Sequence, residues 1–244
     1  MKTFIQTRSA LKRPTRMVAR KSAFSSLLRA CASGLLVFFL RVIPSVAAKL
    51  IYRLKVEGAE LVPATGPALL VCNHVSFVDW LIICAALRRR VRFVMDYEWF
   101  HHPLLHPFVS RLGMIPIAKA KENPSALRSA LHLTRRALGN GDLVCLFPEG
   151  RLTPDGKLLP FQRGLERILA DSPVPVVPMA ITNMWGSLFS RERGRAFFKV
   201  PKRFRSRIAL RIGVPVAPHA ASALILRERV EDLHGSTLSH LLET

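Results

Sequence analysis

The chain has 244 residues, 50% of them apolar, and 37 lysines and arginines against 16 acidic side chains give it a formal charge of +21. That length supports one sizeable core, and the apolar content excludes a disordered or low-complexity chain. A charge of this size implies a polyanionic partner.

At the N-terminus, Lys12, Arg13, Arg16, Arg20, Lys21 and Arg29 lead into an apolar stretch, residues 30–48. A bilayer span needs about 20 apolar residues, but Arg41 and Pro44 fall near the middle of this one. A central arginine costs on the order of 3 kcal/mol, so the stretch is expected to lie in the interface or enter it halfway. The small-residue cleavage site of a signal peptide is missing, and the positive flank assigns the attachment to the cytoplasmic face of the inner membrane. Residues 1–52 are therefore read as a basic, membrane-associating segment, and residues 53–244 as an α/β domain with a mixed, largely parallel sheet flanked by helices.

Within that domain, residues 54–57 and 68–72 read as strands, and residues 80–87 as a buried helix. Between the last two lies Asn73-His74-Val75-Ser76-Phe77, followed by Asp79. Residues five apart on a regular helix point about 140° apart, so His74 and Asp79 meet only if His74 sits in the turn before the helix, with Ser76 a natural N-cap. Two readings stand. In one, Asp79 holds one imidazole nitrogen protonated and leaves the other as a base; in the other, His74 caps the helix and Asp79 makes a surface salt bridge.

Further on, residues 92–95 read as a strand, 97–111 as a helix, 114–117 as a strand and 125–138 as a helix stopped by Gly139-Asn140-Gly141. His101, His102 and His106 fall in the first of these helices; among Trp99, Phe100, Leu104 and Phe108 they suit a membrane-resting or core helix better than a metal site. Residues 142–147 read as a buried strand running into the turn Pro148-Glu149-Gly150-Arg151. Gly150 permits close backbone approach, and Arg151 offers a fork for phosphate or carboxylate; the plain alternative is a solvated Glu-Arg pair. Residues 161–170 are expected to be helical, 174–181 a buried strand, 208–212 a strand near an edge, and 221–242 a closing amphipathic helix. Cys31, Cys72, Cys84 and Cys145 lack metal or disulfide spacing and read as free thiols.

A second basic cluster, from Arg191 to Arg207, surrounds Phe197, Phe198 and Phe204. Because basic residues flank apolar segments instead of forming a polar stripe, anionic lipid is favoured over nucleic acid as the partner.

Four blocks together resemble the glycerolipid acyltransferase family, which includes the 1-acylglycerol-3-phosphate acyltransferases and other lysophospholipid acyltransferases. His74 through Asp79 is similar to its His-x4-Asp block, Gly113 through Lys119 to its second, Phe147 through Arg151 to its third, and Val177 through Ile181 to its fourth. The resemblance implies transfer of a fatty acyl group from acyl-CoA or acyl carrier protein to a lysophospholipid hydroxyl, with no further cofactor. It casts His74 as the base and Asp79 as its orienting partner. Glu149, Gly150 and Arg151 hold the acceptor head group, and Lys119 and Arg151 are the candidates for its phosphate, with Arg163 as a helper. The chain departs from the phosphatidate-forming members in two places. Lys119 stands where they usually carry arginine, so a point charge replaces a bidentate fork, and Arg151-Leu152-Thr153 stands where they usually continue with threonine, arginine and serine. The expected acceptor is 1-acyl-sn-glycerol-3-phosphate, with lysophosphatidylethanolamine or a lyso-aminolipid as alternatives. Two other classes compete: a basic membrane-binding module without catalysis, and a lipid serine hydrolase, for which no Gly-x-Ser-x-Gly elbow is present.

Overall fold

Three apolar runs without polar interruption form neighbouring strands at the centre of a sheet whose two faces are both covered, the pattern expected of buried parallel strands. They are β2 (Ala68–Cys72), β5 (Leu143–Leu146) and β6 (Val176–Thr182), and every residue in them is buried. The computed structural model describes residues 42, 46, 48–186 and 206–235. Around the three strands stand β1 (Arg53–Glu57), β3 (Val91–Asp96), β4 (Ile115–Ile117) and β7 (Arg207–Ile212), giving the order β1-β7-β6-β2-β5-β3-β4. Neighbours are parallel except β6 and β7. Five strands therefore present their carboxyl ends at one edge of the sheet, where ligands of open α/β folds bind; β1 and β7 run the other way.

Side chains alternate between two apolar layers, as a strand's period of two requires. Leu70, Cys72, Leu143, Cys145, Met179 and Ile181 face one layer, shared with α1 (Asp79–Ala86) and the paired short helices α2 (Tyr97–His101) and α3 (His106–Leu112). Leu69, Val71, Val144, Leu146 and Ala180 face the other, covered by α4 (Pro124–Gly139), α5 (Gly164–Asp171) and α6 (Ala223–Gly235). The sequence supplies the start of α4 directly. Pro124 fills the first position, and the Asn123 side chain accepts the Ala126 N–H at 2.9 Å, satisfying a donor with no partner inside the helix.

Several expected boundaries move. The single helix expected over 97–111 is two, because Pro103 holds the residue before it, His102, in an extended conformation (φ −60°, ψ 126°) that ends α2, as proline does to its predecessor. The helix expected from 161 begins at Gly164, since the Gln162 N–H is donated to the Pro148 carbonyl at 2.7 Å. The strand expected from 174 begins at Val176, after Pro175, which has no N–H to give. The closing helix is described only to Gly235, with the rest of 221–242 outside the described residues. Most of the 30–48 stretch, with the membrane helix expected there, and the basic cluster up to Arg205 also lie outside the described residues. Among the described residues no helix is long and apolar enough to cross a membrane.

Leu70 is 0% exposed on the central strand, so Leu70→Ala is expected to lower unfolding free energy by about 2–5 kcal/mol, read as a drop in urea midpoint at unchanged slope.

Candidate active site

The turn after β2 begins with a clamp. Asn73 is buried, and its side chain completes the strand pairing with β6: Nδ2 donates to the Ile181 carbonyl at 3.0 Å, and Oδ1 accepts the Ile181 N–H at 2.7 Å. His74 comes next, at the carboxyl edge of the sheet. Asp79, with a fully buried side chain at the first position of α1, points back under the turn. Its Oδ2 lies 2.9 Å from His74 Nδ1 and accepts the N–H groups of Val75 at 2.7 Å and Ser76 at 2.9 Å. Ser76 was expected to cap α1; the helix instead carries no side-chain cap, and the Val78 N–H reaches the Ser76 hydroxyl at a long 3.4 Å. A carboxylate is the stronger acceptor and takes the amides of this turn.

A carboxylate can only accept, so in a neutral ring paired with it Nδ1 would carry the proton and Nε2 the lone pair. The imidazole is 24% exposed. One of its faces lies on the Phe147 ring, with centroids 4.3 Å apart and planes 17° from parallel.

The loop after β5 holds the same histidine by its backbone. Phe147-Pro148-Glu149-Gly150 closes with the Gly150 N–H donating to the Phe147 carbonyl at 3.1 Å, and Gly150 adopts φ +67°, where a side chain would be strained. Glu149 is 4% exposed. Its Oε1 accepts the His74 N–H at 2.7 Å and its Oε2 the Leu159 N–H at 3.0 Å, while the His74 carbonyl accepts the Thr153 N–H at 3.0 Å. Burial pushes the Glu149 carboxyl above the usual range, against the pull of the two backbone donors. Thr153 in turn orders the next turn, accepting the Gly156 N–H at 3.0 Å and donating to the Lys157 carbonyl at 2.7 Å.

His74, Asp79 and Glu149 are thus brought into one hydrogen-bonded unit, with Gly150 and Arg151 exposed on its rim. Lys119 is exposed beyond the end of β4 and paired with Glu122 at 2.9 Å. That hydrogen bond and the Glu122 charge raise its pKa, and the Arg151 charge opposes them, so the two cations share one electrostatic neighbourhood. Arg163 is exposed at the start of α5, one residue past the Gln162 contact to Pro148. The Glu149 carboxylate, expected on the head group, is turned inward to backbone. Cys72, Cys84 and Cys145 are in no disulfide, and burial drives the Cys72 and Cys145 thiols well up; Cys31 lies outside the described residues. Sequence reasoning gave Asn73, Phe147 and Thr153 no role. An aromatic directly ahead of Pro-Glu-Gly was the only local signal for Phe147, and nothing near Asn73 or Thr153 in the chain announces their partners.

A histidine held by a buried carboxylate at the carboxyl edge of the parallel strands is an arrangement chemically capable of taking up a proton. Residues 53–182, more than half of the chain, match the family model described as Acyltransferase, and the chain belongs to that family. Among curated proteins it is similar to the chloroplastic 1-acyl-sn-glycerol-3-phosphate acyltransferases of Brassica napus (29% identical over 133 residues, 53% of this chain and 37% of that protein) and Arabidopsis thaliana (30% over 131 residues, 53% and 36%). It therefore matches little more than a third of the length of these relatives. Among solved structures it is similar to the 1-acyl-sn-glycerophosphate acyltransferase PlsC of Thermotoga maritima, with a TM-score of 0.66 and 25% identity, covering 93% of this chain and 90% of that one.

The raised Glu149 pKa has a signed consequence. Its folded value lies above its unfolded one, so stability is fully present below the unfolded pKa and is lost as pH rises through the folded pKa. Comparing wild type with Glu149→Gln isolates this carboxyl. The wild type is expected to lose ground to the variant as pH rises from about 4 towards neutrality, and a difference in urea midpoint that stays flat or moves the other way contradicts the assignment.

Proposed function

We propose that the protein transfers a fatty acyl group from an acyl thioester, acyl-CoA or acyl carrier protein, to the free hydroxyl of 1-acyl-sn-glycerol-3-phosphate, forming phosphatidic acid. The observation that carries the reading is the His74–Asp79 contact through Nδ1, on a ring that is partly exposed, which leaves Nε2 for the acceptor. The similarity to 1-acyl-sn-glycerol-3-phosphate acyltransferases supports the acceptor, and the net charge supports work on an anionic membrane surface from its cytoplasmic face.

In this reading the acceptor hydroxyl donates to His74 Nε2 and loses its proton as its oxygen attacks the thioester carbonyl. Asp79 stays ionised and stabilises the imidazolium. Collapse of the tetrahedral intermediate breaks the C–S bond, leaves the new ester and passes the proton from Nε2 to the departing thiolate. The transfer requires no cofactor beyond the acyl donor. Direct attack is favoured over a covalent acyl-enzyme because the Cys72 and Cys145 thiols are buried with raised pKa values and Ser76 is 0% exposed. Arg151 and Lys119 supply the positive charge for the acceptor phosphate. Glu149 and Gly150 serve by shaping the loop that carries Arg151, and Arg163 lies outside the contacts that define the site.

His74→Ala is expected to reduce transfer from acyl-CoA to lysophosphatidic acid by about 10²–10⁴-fold with an unchanged far-UV spectrum and unchanged vesicle binding. Asp79→Asn is expected to lose a comparable factor. Full activity in His74→Ala refutes the base.

The two cations separate by geometry. Arg151→Ala, removing a charge-assisted fork worth about 1.5–3 kcal/mol, is expected to lower kcat/KM for the phosphate acceptor by about tenfold or more. Lys119→Ala, already paired with Glu122 in solvent, is expected to cost about threefold or less. A panel of lysolipids assayed with both donors decides between lysophosphatidic acid and lysophosphatidylethanolamine: if Arg151 and Lys119 bind the phosphate monoester, their loss erases the preference between these acceptors.

A further inference from the structure

Between α2 and α3 the chain makes a hairpin whose composition stands apart from the rest of this cationic protein. Residues 99–110 contain no lysine, arginine, aspartate or glutamate. At its tip Leu104 is 84% exposed, the most exposed large apolar side chain among the described residues, and Trp99 beside it is 48% exposed. The exposure does not come from poor anchoring: Phe100, Val109 and Leu112 are buried in the core, and Phe108 packs edge-on against Trp80 at 5.9 Å. His101 and His106 stack with centroids 5.7 Å apart, and their Nδ1 atoms lie 2.9 Å and 3.1 Å from the Tyr97 and Phe100 carbonyls. An apolar tip is thus held rigidly above a collar of half-polar rings.

The hairpin stands next to the chemistry. The Trp99 ring lies 5.6 Å from that of Phe77, which belongs to the turn between His74 and Asp79. Val214, another strongly exposed apolar side chain, follows β7, which runs antiparallel to β6 and ends at the opposite edge of the sheet. An apolar tip and aromatic collar beside the reactive edge, on a chain of +21, match the layers of an anionic bilayer, with its hydrocarbon, the interfacial zone favoured by tryptophan, and charged head groups.

We infer that the α2–α3 hairpin inserts Leu104 and Trp99 into an anionic bilayer and so seats the His74 edge of the sheet on the membrane from which the acceptor is drawn. The inference rests on the acyl-transfer reading for its purpose, though not for its measurement.

Vesicles of phosphatidylcholine and phosphatidylglycerol, with and without brominated acyl chains, test it on the full chain. Wild-type tryptophan fluorescence is expected to be quenched by the brominated lipid, and most of that quenching to vanish in Trp99→Phe. Leu104→Asp, a change at an exposed position, is expected to weaken partitioning by about tenfold or more. Transfer to vesicle-embedded lysolipid then falls in parallel, while transfer to a short-chain acceptor below its critical micelle concentration stays at the wild-type rate. Partitioning unchanged in Leu104→Asp together with no Trp99-dependent quenching overturns the inference. So does a lipid-free dimer in sedimentation velocity that Leu104→Asp abolishes, since the tip then belongs to a second copy of the chain. Should the wild type transfer to no acceptor at all, the acyl-transfer reading fails, and the quenching still decides the fate of the hairpin.

Discussion

One carboxylate oxygen organises the site. Asp79 Oδ2 takes the His74 ring and two consecutive backbone N–H groups while the side chain is wholly removed from solvent. A buried charge is tolerable only when it is well hydrogen-bonded, and here the partners that satisfy it also define the turn. The orientation of the imidazole and the shape of the 74–78 loop are therefore one property, not two. Its second oxygen has no partner among the described residues, which concentrates the hydrogen bonding on the side that faces the histidine.

The second anchor is independent of the first and acts on a different part of the same residue. Glu149 holds the His74 N–H and Thr153 the His74 carbonyl, so the backbone of the proposed base is gripped by the loop after β5 while its ring is gripped from α1. Asn73, the residue before His74, is itself bound to Ile181 of β6 through its side chain. Three strands thus meet at one position, and the adjacency of β6, β2 and β5 in the sheet makes this possible.

Much of the frame was readable along the chain because it rests on local patterns. The unbroken apolar runs of β2, β5 and β6 announce strands covered on both faces, and Asn123-Pro124 and Gly139-Asn140-Gly141 bracket α4. Helical spacing carried across Pro103 hid the break between α2 and α3, because periodicity reports which side chains are buried and not whether the backbone between them is continuous. In the site, His74 and Asp79 were legible because their partnership spans five residues. The inward turn of Glu149 was not, for its carboxylate serves an N–H 75 residues away, and the Asn73 clamp reaches across 108. The family resemblance put Glu149 on the acceptor head group; only the tertiary fold reveals that backbone donors hold its carboxylate.

The Phe147 ring covers one face of the imidazole almost flush. A hydroxyl donating to Nε2 cannot come over that face, and the in-plane lone pair of the ring nitrogen sets its line of approach. Any alcohol activated here is constrained in its angle of entry before it touches a binding residue.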